Sequence, residues 1–141
     1  MDDRRYEETA SKLDPDVLEL KRGQDLKPVP IDWLWPGWLA RGKVHVMAGP
    51  PGAGKTTLGI AMGATLTCGG RWPSGETCPP CNVVVWSGED DPTDTLVPRL
   101  MACGADMSRV YFVDRVLSRD GKRAFDPAQD MSLLLDRIIV I

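Results

Sequence analysis

The chain has 141 residues, 43% of them hydrophobic, enough for one domain with a buried core. Its net charge of −3 excludes a general electrostatic pull toward nucleic acid, so any such contact has to be local. Asp2 to Glu8 is charged and polar, so there is no signal-peptide pattern, and no apolar run reaches membrane-spanning length; a cytoplasmic protein without a membrane partner is expected.

In chain order, residues 1–30 read as a charged arm and linker, and residues 31–141 as a single domain. Within the arm, Asp16 to Arg22 is compatible with a short helix that Gly23 stops, with Leu13, Val17 and Leu20 as its apolar stripe. Lys27-Pro28-Val29-Pro30 is extended, because each proline disfavours helical backbone in the residue before it. Trp33, Trp35 and Trp38 predict a lid of rings over one end of the core, or, alternatively, one ring against a nucleotide base. Arg41-Gly42-Lys43 turns the chain into Val44-His45-Val46-Met47-Ala48, a short apolar run that predicts a buried parallel strand. His45 is expected to be an ordinary residue of that strand.

The next eight residues, Gly49-Pro50-Pro51-Gly52-Ala53-Gly54-Lys55-Thr56, fill every fixed position of G-x-x-x-x-G-K-[ST], the phosphate-binding loop. The chemistry explains the residue types. Gly49, Gly52 and Gly54 let the backbone turn tightly and approach a phosphate with no Cβ in the way. Successive N–H groups, together with the N-terminus of the following helix, then form an anion site. Pro50, Pro51, Ala53 and Thr57 complete the cradle. Lys55 is expected to reach the β- and γ-phosphates, and the Thr56 hydroxyl to ligate Mg²⁺, with ATP and Mg²⁺ as the cofactors.

Lys55 to Thr67 predicts a helix, apolar nearly all round, in which Gly59 and Gly63 permit close packing. Arg71 to Asn82, rich in Pro and Gly, predicts a surface loop. Cys78 and Cys81 have metal-ligand spacing but supply only two ligands, and Cys68 and Cys103 add no matching pair, so the thiols are read as incidental. Val83 to Trp86 predicts a second buried strand, followed by Ser87-Gly88-Glu89-Asp90-Asp91-Pro92. A helix from Pro92 or Thr93 to Cys103, capped by Asp91 or Thr93 and stopped by Gly104, leads to a strand at Val110 to Val113. Asp130 is read as the cap of a helix over Met131 to Arg137, and Ile138 to Ile141 as a fourth strand. The alternation predicts an α/β P-loop NTPase with a parallel sheet flanked by helices.

Glu89 stands past the C-terminal end of a strand, the edge at which such sheets bind ligands, and is the expected catalytic carboxylate that orients the attacking water, alongside Lys55. Asp90 and Asp91 are alternatives. No acid follows Ile141 to serve as the second, metal-facing carboxylate, so the sheet reads as truncated at that strand and the chain as the N-terminal portion of a longer parent.

Trp33-Leu34-Trp35-Pro36-Gly37, Gly42-Lys43-Val44, Gly49 to Thr57, Trp86 to Pro92, Pro98-Arg99-Leu100 and Gly104-Ala105-Asp106 together resemble RecA-like AAA family ATPases related to the plasmid replicative helicase RepA. The resemblance covers roughly residues 30 to 141. It implies a RecA-like core, ATP with Mg²⁺, Walker-A roles for Lys55 and Thr56, and the catalytic glutamate at Glu89. For the parent it implies a homo-oligomeric, often hexameric, ring that acts on DNA through parts absent here; for this chain it implies nucleotide binding with little turnover. A small-molecule or nucleotide kinase and a non-catalytic nucleotide-binding fragment are the competing readings.

Overall fold

A computed structural model describes residues 18–119 and 121–140. The chain divides into two units, Met1–Ile31 and Asp32–Ile141. In the first, the described part is extended apart from one 3-10 turn, Gly23–Asp25. Leu18 to Arg22 is not helical, and Gly23 opens a turn instead of ending a helix; Leu13, Asp16 and Val17 of the expected helix lie outside the described residues. Leu18 and Leu20 are 83% and 84% exposed, so no packing compensates the ordering of a helix there.

The second unit begins with an antiparallel hairpin, β1 (Trp33–Trp35) and β2 (Leu39–Ala40), closed by a turn through Gly37 at φ 77°. The phosphate-loop helix α1 (Lys55–Cys68) follows, then β3 (Val83–Val85). A π-type turn (Pro92–Leu96) runs into the short helix α2 (Val97–Ala102). The turn is wide because Pro98 has no N–H to give the preceding turn and its ring needs room there. A 3-10 turn (Met107–Arg109) leads to β4 (Val110–Phe112), which pairs with β3 in parallel, Val83 opposite Val110 and Val85 opposite Phe112. The antiparallel hairpin β5 (Arg115–Ser118) and β6 (Gly121–Ala124) and the helix α3 (Pro127–Ile138) complete the unit. The fold is α/β, with β3–β4 as its one parallel pair among the described residues.

Two small cores lie on different faces of α1. In one, Trp35, Trp72 and Cys78 are buried against Leu34, Leu39, Met62 and Leu66. Trp35 stacks on Trp72 with centroids 4.6 Å apart and planes 1° from parallel, and Trp38 stacks on the outside at 5.5 Å. In the other, Ile60 packs on Leu96 and Leu100, with Val85, Val110 and Phe112 closing the sheet side. Gly63 faces this core, but a Cβ there would stand 3.7 Å from Leu100 and 3.8 Å from Val83, ordinary contact distances, and one at Gly59 would meet nothing within 4 Å, so neither glycine is required for the packing. Between the two cores Thr67, 1% exposed, donates to Ala64 O and accepts from Asp106 N, tying α1 to the chain that enters β4.

Val44 to Ala48 is extended but unpaired, with Val44 and Val46 at 93% and 86% exposure. A parallel strand is buried by neighbours on both edges and helices across its faces, and among the described residues this segment has neither. Consequently α1 is buried on part of its surface only, and Leu58 is 45% exposed. Arg71 to Asn82 is not merely superficial, because it delivers Trp72 and Cys78 to the core. Finally, Ile138 ends α3, with Ile139 and Val140 in a turn and Ile141 outside the described residues; a short apolar run by itself cannot distinguish strand from helix end.

Asp130 does not cap α3. Asp126 does, accepting from Ala128 N at 2.9 Å, with Pro127 in the first turn. Asp130 instead sits with its side chain 3% exposed, held by both terminal nitrogens of Arg123 at 2.6 Å and by Asp126 N at 2.9 Å. The Arg123 guanidinium, then the Asp126 amide, lowers its pKa from 3.8 to about 2. The folded value is the lower one, so the pair stabilises the fold above the ordinary carboxylate value and is lost as pH falls toward the folded one. Asp130→Asn is therefore expected to melt below the wild type at neutral pH, with the gap closing between pH 3.8 and about 2. A gap constant with pH, measured by circular dichroism melts, would show that the ionised pair is not its source.

Candidate functional site

The glycines of Gly49 to Thr56 adopt the conformations the loop requires. Gly52 has φ 78°, and Gly54, at φ 82° and ψ 17°, is the residue from which α1 starts. Both lie in the left-handed region that a Cβ disfavours. Ala53 N donates to Pro50 O at 3.2 Å and Leu58 N to Gly54 O at 2.9 Å, so a closed turn feeds directly into the helix. The first amides of α1 face the loop without a side-chain cap, leaving the positive end of the helix available to an anion. Lys55 folds back across the loop, its Nζ donating to Gly49 O at 2.9 Å and Pro50 O at 3.0 Å.

The second part of the site is built by β3 and the turn after it. Ser87 Oγ accepts from Glu89 N at 3.2 Å and Asp90 N at 2.9 Å, which shapes the acidic turn. Asp91 closes that turn as a helix cap, its Oδ1 accepting from Thr93 Oγ1 at 2.6 Å, Thr93 N at 2.7 Å and Asp94 N at 3.3 Å. Those Thr93 bonds hold the Asp91 carboxyl below the usual carboxylate range. Asp91 is thus committed to capping, whereas Glu89 is exposed beside it.

Thr56 and Glu89 come together on the walls of a cavity of about 740 Å³ between α1 and β3. Gly59 and Ile60 line it from the helix, and Val85 and Trp86 from the strand. Gly49 to Lys55 do not line it. Of the tryptophans expected near a base, Trp33, Trp35 and Trp38 stand elsewhere, and Trp35 and Trp38 belong to the stack on Trp72. The aromatic on the cavity is Trp86, 46% exposed and braced edge-on by Phe125 at 6.1 Å. Its place at the end of an apolar strand was the available signal.

Arg99 was also missed. Its Nη2 donates to Thr57 Oγ1 at 2.7 Å, linking α2 to the first turn of α1. Asp114 follows β4 as Glu89 follows β3, but Arg115 engages both its oxygens and it stands off the Thr56 cavity. His45 Nε2 accepts from Ala40 N at 3.0 Å, a local contact in exposed chain and not in a strand. Burial pushes the Cys78 thiol up, and no cluster of three or more His, Cys, Asp or Glu side chains suited to a metal occurs among the described residues.

The loop, the helix dipole, a lysine and a hydroxyl make a donor set suited to phosphate and a hard cation, and Glu89 lines the same cavity as Thr56. Among the described residues no helix is long and apolar enough to cross a membrane. A family profile described as an AAA domain matches residues 7–137. No curated protein and no solved structure matched the chain. With that match spanning nearly all of its length and the phosphate loop formed within it, the chain belongs to the AAA domain family, the nucleotide-binding P-loop ATPases.

Proposed function

We propose that this chain binds ATP with Mg²⁺ at Gly49 to Thr57, and that it is the nucleotide-binding part of a RecA-like ATPase, related to the RepA helicase, that works on DNA as a homo-oligomeric ring. The observation that carries the reading is the shared cavity: Thr56 and Glu89, from separate elements, line one space. Loop amides and Lys55 would hold the phosphates, and the Thr56 hydroxyl would ligate the metal, which neutralises charge on the phosphates when bound. Glu89 would orient water toward the terminal phosphate, accepting its proton. Trp86 gives the cavity an aromatic wall. The helicase assignment rests on the resemblance of the Trp-Leu-Trp-Pro and Ser-Gly-Glu-Asp-Asp-Pro segments, and on no geometry of this chain.

Titration calorimetry of Mg-ATP into the purified chain tests the nucleotide reading, and saturable binding at one site is expected. A folded protein that takes up no Mg-ATP would overturn it. Slow phosphate release, decreased further in Glu89→Gln while binding persists, is expected for the ATPase reading. Transfer of phosphate to AMP in place of water would move the assignment to a kinase.

A further inference from the structure

Arg99 stands beside the phosphate loop on a backbone that cannot easily move. Leu96, at the end of the π-type turn, and Leu100 of α2 are each 3% exposed and packed on Ile60 of α1. Leu100 also lies over Gly63, where a Cβ would stand 3.7 Å from it. From this anchored helix the half-buried Arg99 side chain reaches across to donate to Thr57 Oγ1 at 2.7 Å. Among the described residues its guanidinium forms no ion pair. Thr57 is the residue after Thr56, so the bond fixes the first turn of the helix that presents the phosphate-site hydroxyl.

The same α2 is continuous with the acidic turn. Asp91 caps the π-type turn that leads into it, and Ser87 gathers the amides of Glu89 and Asp90. A continuous run of chain and hydrogen bonds therefore links the Glu89 turn through α2 and Arg99 to Thr57. We propose that Arg99 is a positioning residue of the nucleotide site: through Thr57 it sets the spacing between the turn bearing Thr56 and the turn bearing Glu89. This rests on the nucleotide reading above. A guanidinium suits the task because its planar fork keeps a fixed geometry on one acceptor, whereas an ammonium on a flexible stem does not.

The test is Mg-ATP affinity, by calorimetry, of Arg99→Ala, Thr57→Val, the double variant and Arg99→Lys, each shown by a melt to be folded. Arg99→Ala and Thr57→Val are each expected to bind about tenfold more weakly, the size of one charge-assisted hydrogen bond. The double variant should be no weaker than either single one, because both remove the same bond. Arg99→Lys should recover part of the loss. Additive losses would overturn the proposal, as would a large loss in Arg99→Ala with none in Thr57→Val, the pattern of an arginine that touches phosphate itself. Thr57→Val alters an exposed side chain, so it carries the test if Arg99→Ala fails to fold, and wild-type affinity in it would then overturn the proposal. Absence of binding by the wild type would remove the nucleotide reading and this inference together; normal wild-type binding with unchanged affinity in folded Arg99→Ala removes this inference alone.

Discussion

Lys55→Ala is expected to weaken Mg-ATP binding at least a hundredfold, on the order of 3 kcal/mol, while leaving the melting temperature almost unchanged. The two expectations separate because the side chain serves the loop and not the core. Its Nζ bonds two loop carbonyls, Gly49 O and Pro50 O, and none of its contacts belongs to either hydrophobic cluster. Removing a surface cation of this kind usually changes stability by less than about 0.5 kcal/mol. Removing it from a phosphate site takes away a charge the ligand has no other side chain in the loop to replace, since Gly, Pro and Ala fill the positions before it. Lys55→Arg should not restore affinity, because a planar fork cannot occupy the compact position between those carbonyls. Calorimetry on both variants settles the matter. If Lys55→Ala bound Mg-ATP as tightly as the wild type, the nucleotide would lie somewhere other than Gly49 to Thr57.

The loop was legible because its function restricts residue type at each step. Glycine is required where φ is positive, and Gly52 and Gly54 have φ 78° and 82°. Lysine and threonine are required at its helical end. Local signals offered Asp91 or Thr93 as a cap, of which Asp91 is the one that caps, and Gly104, at φ 78°, as a helix stop. Glu89 was singled out by a weaker rule, its position after an apolar strand, and the structure puts it on the same cavity as Thr56. What is not local was read less well. Arg99 touches Thr57 across 42 positions of sequence, and no spacing rule announces such a pair.

Two of the four strand expectations failed for a related reason. Val44 to Ala48 and Ile138 to Ile141 have strand-like composition, but a strand exists only where another strand meets its hydrogen-bonding edge. Val83 to Val85 found that edge in Val110 to Phe112, and among the described residues Val44 to Ala48 and Ile138 to Val140 did not. The hairpin Arg115 to Ala124 shows the converse. Three of its eight strand residues are charged and most of the eight are exposed, so composition did not suggest strands, yet four paired positions and the Arg123–Asp130 bridge hold it. Propensity for sheet is mostly a statement about neighbours, and neighbours are what a single sequence withholds.

Trp72 is the sharpest case, because a residue read as part of a surface loop should be among the costliest to remove. Trp72→Ala is expected to destabilise the fold by about 3–5 kcal/mol, the range for emptying a buried aromatic site. The ring is 2% exposed, lies parallel to Trp35 at 4.6 Å, and donates through Nε1 to Leu34 O at 2.9 Å. Truncation removes apolar burial, the stack and the partner of a strand carbonyl at once. A small domain holds only about 5–15 kcal/mol in total, so the variant should be partly unfolded at physiological temperature. Trp38→Ala is the control: that ring stacks on the same cluster at 5.5 Å but is 67% exposed, so a loss below about 1 kcal/mol is expected. Trp72→Phe keeps an aromatic face and loses the donor, so it should fall between the two. Urea unfolding of the three variants gives the order directly. Equal losses for Trp72→Ala and Trp38→Ala would mean that the Trp35–Trp72 stack does not carry the core at this end of α1. In the expected order, the segment between α1 and β3 acts as a wall of the core, fixing the far end of the helix whose first turn presents Thr56.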